Sequence, residues 1–129
     1  MKFAKLVFVI AGIYGLLLLV PVYFLEFKIV PAITHPEFFY GFVGVGIAWQ
    51  IAFFVVGRDP VRFRPIMVAA IIEKTSYGLA VVVLYLLNRL AALPAAIGAV
   101  DLLFAVLFAA AYAFTGMQVA PVRRSASGR

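Results

Sequence analysis

Glu73 and Lys74 are the residues whose type and position most clearly indicate chemistry in this chain. They lie side by side in an otherwise apolar run, 66–88, which is long enough to cross a membrane as a helix. Near the bilayer centre, each charge would cost about 2.5 to 3.5 kcal/mol. The pair therefore predicts matching groups on other helices.

Polar residues at a similar depth are found in the neighbouring apolar runs. At about 1.5 Å per residue, Gln50, Glu73 and Asp101 all fall about 10 to 18 Å from one membrane surface. We expect Lys74 to pair with Asp101, and Glu73 to be held by Gln50, Tyr77, Tyr14 or Trp49. The predicted ligand-binding residues are Glu73, Lys74, Asp101, Gln50, Trp49 and Tyr77.

Two interpretations of this polar layer stay open. In the first, an ion pair and hydrogen bonds fix which helix meets which, each contact contributing about 1 kcal/mol. In the second, the layer is a site for a ligand or a proton relay, as intramembrane ionisable residues often are. Glu73 is then the stronger candidate for that role. Asp101 can neutralise Lys74, which leaves Glu73 as a second carboxylic acid in an environment without water.

The composition excludes most catalytic templates. The chain has 129 residues, 67% of them hydrophobic, no cysteine and one histidine, His35, and its mean hydropathy is +1.16. Disulfides and cysteine zinc sites are excluded, and one histidine argues against a histidine metal centre. We predict no catalytic residues, no metal and no cofactor; Glu73 and Asp101 as a carboxylate pair leave an enzyme open only as an alternative.

The apolar runs predict an all-α fold, an integral membrane antiparallel four-helix bundle forming a single domain. Proline at position 36 and the Asp59-Pro60 pair are typical of helix starts. The predicted helices cover about 4–25, 37–57, 65–88 and 94–115, followed by a mobile basic tail, 117–129.

Basic residues predict the orientation and the surface partner. Eight lysines and arginines lie on the side of the termini and second loop, against Lys28 and Arg89 on the other. Both termini should therefore face the cytoplasm. The net charge of +6 flanks apolar runs, which favours membrane lipids over nucleic acid. The predicted lipid-headgroup residues are Arg58, Arg62 and Arg64.

Three segments and the Glu73-Lys74 pair carry a family resemblance. The segments are Phe38-Phe39-Tyr40-Gly41-Phe42-Val43-Gly44, Ala48-Trp49-Gln50 and Gly57-Arg58-Asp59-Pro60-Val61-Arg62-Phe63-Arg64-Pro65. They resemble an uncharacterised bacterial family of small four-helix membrane proteins, which implies the bacterial inner membrane but no function. The layout is also similar to DoxX-like and sterol-isomerase or sigma-2-receptor type bundles, whose acidic residues line a lipophilic pocket. That likeness is architectural alone and assigns no residue a role.

Three functions are compatible with these features. The favoured one is a non-enzymatic membrane protein that binds a lipophilic small molecule, or a partner membrane subunit, through the polar layer. The second is a proton-coupled small transporter that works as a homo-oligomer with Glu73 as the coupling carboxyl, since four helices hardly enclose a polar pathway. The third is a lipid-modifying enzyme that uses Glu73 and Asp101.

Overall fold

The structure, a computed structural model, describes residues 2–126, with side chains described through residue 119. All the regular secondary structure in this part of the chain is helical, and it contains no strand, as the sequence predicts. A short 3₁₀ turn, Glu26–Lys28, lies in the first loop. The four long helices are α1 (Lys2–Tyr23), α2 (Pro36–Arg58), α3 (Arg64–Leu86) and α4 (Ala92–Ala126).

Helix α4 is longer than the sequence predicts, because it passes through Gly116 and runs to Ala126. Gly116 does not end the helix but lies against Arg64, where an added Cβ would come within 2.6 Å of the guanidinium Nη2. The predicted tail is thus helical over 117–126. Residues 127–129, and the side chains from residue 120 onward, lie outside the described residues.

The helices pack as two pairs. Helix α1 lies along α2 and α3 along α4, α1 and α4 join the pairs, and α2 and α3 contact each other less than α1 and α4 do. Glycines allow the close contacts: an added Cβ would lie 2.9 Å from Val9 at Gly57, and 2.8 Å from Leu19 at Gly46. Late residues of α1 therefore contact early residues of α2, and a gap remains between α2 and α3.

An aromatic cluster fills the part of the bundle that contains the start of α1. Phe8 stacks on Phe108 at 4.1 Å between ring centroids, and Phe53 meets the two rings edge-on at 5.9 and 5.0 Å. All three side chains are fully buried. Close-packed aromatic rings leave little free space, so the bundle is closed at this level.

The turn between α3 and α4 is fixed by backbone hydrogen bonds. Asn88 has a positive φ of 56°, its N–H donates to the Tyr85 carbonyl at 2.9 Å, and the Arg89 N–H donates to the Leu84 carbonyl at 2.9 Å. This is a Schellman motif, in which asparagine is the usual substitute for glycine. It ends α3 and turns the chain directly into α4.

The helices are long and apolar enough to cross a membrane, with candidate spans of 22, 23, 23 and 28 residues. Many of their large apolar side chains point outward. Leu17 is 73% exposed, and Phe38, Leu86 and Leu93 are each 72% exposed. A surface of this kind is far more apolar than that of a soluble monomer.

Candidate functional site

A cavity of about 410 Å³ lies inside the bundle and is lined by residues of all four long helices. It occupies the half of the molecule where α1 ends and α2 begins, away from the aromatic cluster. All the residues predicted to bind a ligand line it, which are Glu73, Lys74, Asp101, Gln50, Trp49 and Tyr77. The structure therefore brings the whole predicted polar layer together.

The predicted ion pair is present. Lys74 Nζ donates to Asp101 Oδ1 at 3.1 Å, and the two residues are only 4% and 6% exposed. Glu73 Oε2 lies farther from the same ammonium, at 3.7 Å. The lysine is thus matched mainly by the aspartate of α4, and it joins α3 to α4 inside the bundle.

Two glycines bring α3 and α4 close enough for this pair to form. An added Cβ at Gly78 would lie 2.8 Å from the Gly98 carbonyl oxygen, and one at Gly98 would overlap the Val81 side chain. These two glycines were not predicted to set the distance between α3 and α4. Their positions one turn after Lys74 and one turn before Asp101 are the signal that could have revealed them.

Gln50 is a buried polar side chain with an unused acceptor. It is 1% exposed; its Nε2 donates to the Gly46 carbonyl at 2.8 Å, whereas Oε1 has no hydrogen-bond partner. Gly15 of α1 makes room for it, because an added Cβ there would overlap the Gln50 carboxamide. The amide is thus fixed on its own helix, with its oxygen packed against Gly15 and without a hydrogen-bond donor.

Glu73 is not held by the residues predicted to hold it. Its Oε2 has no hydrogen-bond partner, and Gln50 bonds to its own helix instead. The Lys74 ammonium lies 3.7 Å from this oxygen. The Glu73 side chain is 23% exposed, against 5% for Lys74, so Glu73 is the more accessible of these two cavity-lining residues.

The cavity has a closed side and an open side. Lys74 Nζ lies 5.4 Å from the centre of the Phe53 ring, so the aromatic cluster lies directly behind this lysine. On the open side, the Phe42 ring of α2 contacts the Tyr77 ring of α3, with 5.5 Å between the ring centroids. Phe42 is 54% exposed and the neighbouring Val45 is 61% exposed, so the gap opens laterally onto the apolar surface.

The predicted lipid-headgroup arginines divide into two groups. Arg58 and Arg62 are exposed beside a surface hollow that also includes Asp59, and their lipid role stays a prediction. Arg64 is half-buried and turned inward: its Nε donates to the Tyr112 carbonyl at 3.1 Å, and its guanidinium lies 3.6 Å from the Tyr112 ring centre. Arg64 therefore fastens the start of α3 to α4.

Among the described residues, no group of histidine, cysteine, aspartate or glutamate side chains could hold a metal ion. No family model matches the chain, and neither a curated protein nor a solved structure is similar to it at a significant level. The family resemblance and the architectural likeness drawn from the sequence therefore stay predictions. What the site can do has to be argued from its own geometry.

Proposed function

We propose that this protein is an integral membrane protein that binds a lipophilic small molecule in the cavity beside Glu73. The observation that carries the proposal is a mid-bundle cavity with apolar walls and two unpartnered polar atoms. A volume of about 410 Å³ lies within the range of small-molecule sites, which combine mostly apolar walls with a few placed polar groups.

The arrangement of the helices supports a membrane location. At about 1.5 Å per residue, the spans of 22 and 23 residues are about 33 to 35 Å long, close to the thickness of the bilayer core. The outward Leu17 and Leu86 side chains then contact acyl chains. The cavity near Glu73 falls within the hydrocarbon layer.

The same arrangement supports an antiparallel bundle with both termini in the cytoplasm. Lys5 lies beside Gly57, so the basic start of α1 and the basic loop after α2 are at one end. Among the described side chains, this side has Lys2, Lys5, Arg58, Arg62 and Arg64, against Lys28 and Arg89 on the other, and the positive-inside rule places the basic side in the cytoplasm. In a bacterium this location is the inner membrane.

The geometry favours binding over transport. Lys74 and Asp101 neutralise each other at the inner wall, and the packed rings of Phe8, Phe53 and Phe108 lie behind them. A transport pathway would need polar groups or water through that level, which close-packed aromatic rings do not provide. The cavity is instead open sideways, where a lipophilic molecule could reach it from the acyl chains.

Trp49 allows a direct test, because it is the single tryptophan of the chain and lines the cavity. In lipid nanodiscs, bromododecane should quench its fluorescence saturably, since bromine quenches tryptophan only at short range. Val45→Phe, at the exposed rim, should fill the opening and abolish the saturable component. Gly44→Ala is the matched control, because an added Cβ there meets nothing within 4 Å.

Two outcomes would contradict the proposal. One is quenching that rises linearly with bromododecane, as expected for a tryptophan exposed to bulk lipid. The other is saturable quenching that Val45→Phe leaves unchanged, which would place the bound molecule outside the cavity. The Gly44→Ala protein must bind like the original for either result to count.

A further inference from the structure

The polar atoms of the cavity indicate the chemistry of the ligand's head. We propose that the cavity binds a lipophilic amine, with the ammonium group between Glu73 and Gln50 and the hydrocarbon chain directed through the gap between α2 and α3. This inference rests on the proposed function and adds the class of ligand and its orientation.

The charged groups that line the cavity do not balance. The cavity contains two carboxylates, Glu73 and Asp101, and one ammonium, Lys74. The ammonium is 3.1 Å from Asp101 but 3.7 Å from Glu73, so Glu73 is left with an incomplete partner. A carboxylate in an apolar environment requires an opposite charge, and an ammonium head supplies it.

The missing hydrogen bonds beside the cavity are all on acceptors. Two buried oxygens of cavity-lining residues lack a donor: Oε1 of Gln50, a residue only 1% exposed, and Oε2 of Glu73. An ammonium head carries several donors and no acceptor, so it suits a site in which only donors are missing. A hydroxyl has a single donor, and a carboxylate head would only add repulsion.

The aromatic and apolar side chains of the cavity walls also favour a lipophilic cation. The rings of Tyr14, Trp49 and Tyr77 line the same cavity, and aromatic faces attract cations, most strongly where water is excluded. The opening is lined by Phe42 and Val45, which are exposed and apolar. Cation-binding groups therefore lie inside and hydrocarbon-binding groups at the rim, which sets the direction of the molecule.

Competition against bromododecane at Trp49 tests the inference. We expect dodecylamine to displace bromododecane at a concentration about tenfold lower than dodecanol does, because hydrogen bonds to charged groups are stronger than neutral ones. Dodecanoic acid should be the weakest competitor. Glu73→Gln keeps the shape but removes the charge, so it should bring dodecylamine to the level of dodecanol. Gly44→Ala should keep the tenfold preference.

The comparison of amine with alcohol in the unmodified protein requires no variant to fold. Equal displacement by the two compounds there, or a preference that survives Glu73→Gln, would overturn the inference while leaving cavity binding intact. Quenching by bromododecane that is not saturable would instead overturn the proposed function itself.

Discussion

At the scale of single residues, Lys74 and Asp101 differ from Glu73 in burial and in hydrogen bonding to other groups of the protein. The lysine and the aspartate are almost completely buried and bonded to each other, which suits a structural role. Glu73 is more accessible and has an unpartnered oxygen. The two interpretations of the polar layer are therefore compatible, since the pair joins helices while the glutamate faces the cavity.

Replacing one member of the Lys74–Asp101 pair should lower the free energy of unfolding more than replacing both. Asp101→Asn leaves the Lys74 ammonium poorly matched, and Lys74→Met leaves two carboxylates together. A double-mutant cycle should give a coupling energy of about 2 kcal/mol. Reversible unfolding in mixed micelles measures it, with Ile72→Ala as the control at an exposed position of α3 outside the cavity lining. Strictly additive effects would show that the pair does not interact.

The ion pair could be predicted from the sequence, but the orientation and hydrogen bonding of the Gln50 side chain could not. Opposite charges at one depth in an apolar environment have few alternatives, so Lys74 and Asp101 identify each other. The orientation of Gln50 depends on the space above Gly15 and on the Gly46 carbonyl. Such local geometry is set by helix packing, and residue types alone do not encode it.

At the scale of helices, Gly78 and Gly98 set the distance between α3 and α4. Gly78→Ala should destabilise the protein by about 1 to 3 kcal/mol, because the added Cβ would press on the Gly98 carbonyl and Leu102. Gly44→Ala is the matched control in a helix interior: it meets nothing and should be neutral or up to about 1 kcal/mol stabilising.

Thermal unfolding of the two alanine variants measures this difference. An equal response at positions 78 and 44 would mean that α3 and α4 are not in close backbone contact. The position of Lys74 relative to Asp101 would then also be wrong.

The turn at Asn88 gives a second test at this scale. Asn88→Gly should preserve or slightly increase stability, because the positive φ of 56° suits glycine best. Asn88→Val should lower the free energy of unfolding by about 1 to 2 kcal/mol, since a branched side chain disfavours the left-handed region. Equal stability of the two variants would contradict the Schellman turn.

The helices themselves were predictable because long apolar runs bounded by charge and proline leave few alternatives. The end of α4 could not be predicted in this way. Gly116 resembles a helix stop in the sequence, yet it provides the space for the Arg64 guanidinium. A glycine that ends a helix and a glycine that admits a neighbour differ only in their tertiary surroundings.

At the scale of the whole molecule, the bundle is divided into a packed half and an open half. Aromatic rings fill the first, whereas the second contains the cavity and the gap between α2 and α3. The sequence predicts four helices and a polar layer, but several pairings of four helices satisfy both. Which pair stays apart is decided by the sum of many contacts, so the lateral opening could not be predicted.

The absence of cysteine from the chain allows the proposed topology to be tested with single cysteines. Phe27→Cys, in the first loop where Phe27 is 77% exposed, should react with a membrane-impermeant maleimide in intact spheroplasts. Arg62→Cys, in the second loop, should react only after lysis, because the proposed topology places the basic side in the cytoplasm. The reverse pattern would invert the topology, and labelling of both in intact cells would exclude a four-span bundle.

The central claim is that the space beside Glu73 holds a lipophilic molecule within the membrane. A density map of the protein in lipid nanodiscs, at a resolution that shows side chains, tests it most directly. The account predicts elongated non-protein density that enters between α2 and α3 and ends within hydrogen-bonding distance of Glu73 and Gln50. A collapsed space with α2 packed on α3, or a Glu73 side chain turned outward to the acyl chains, would contradict it.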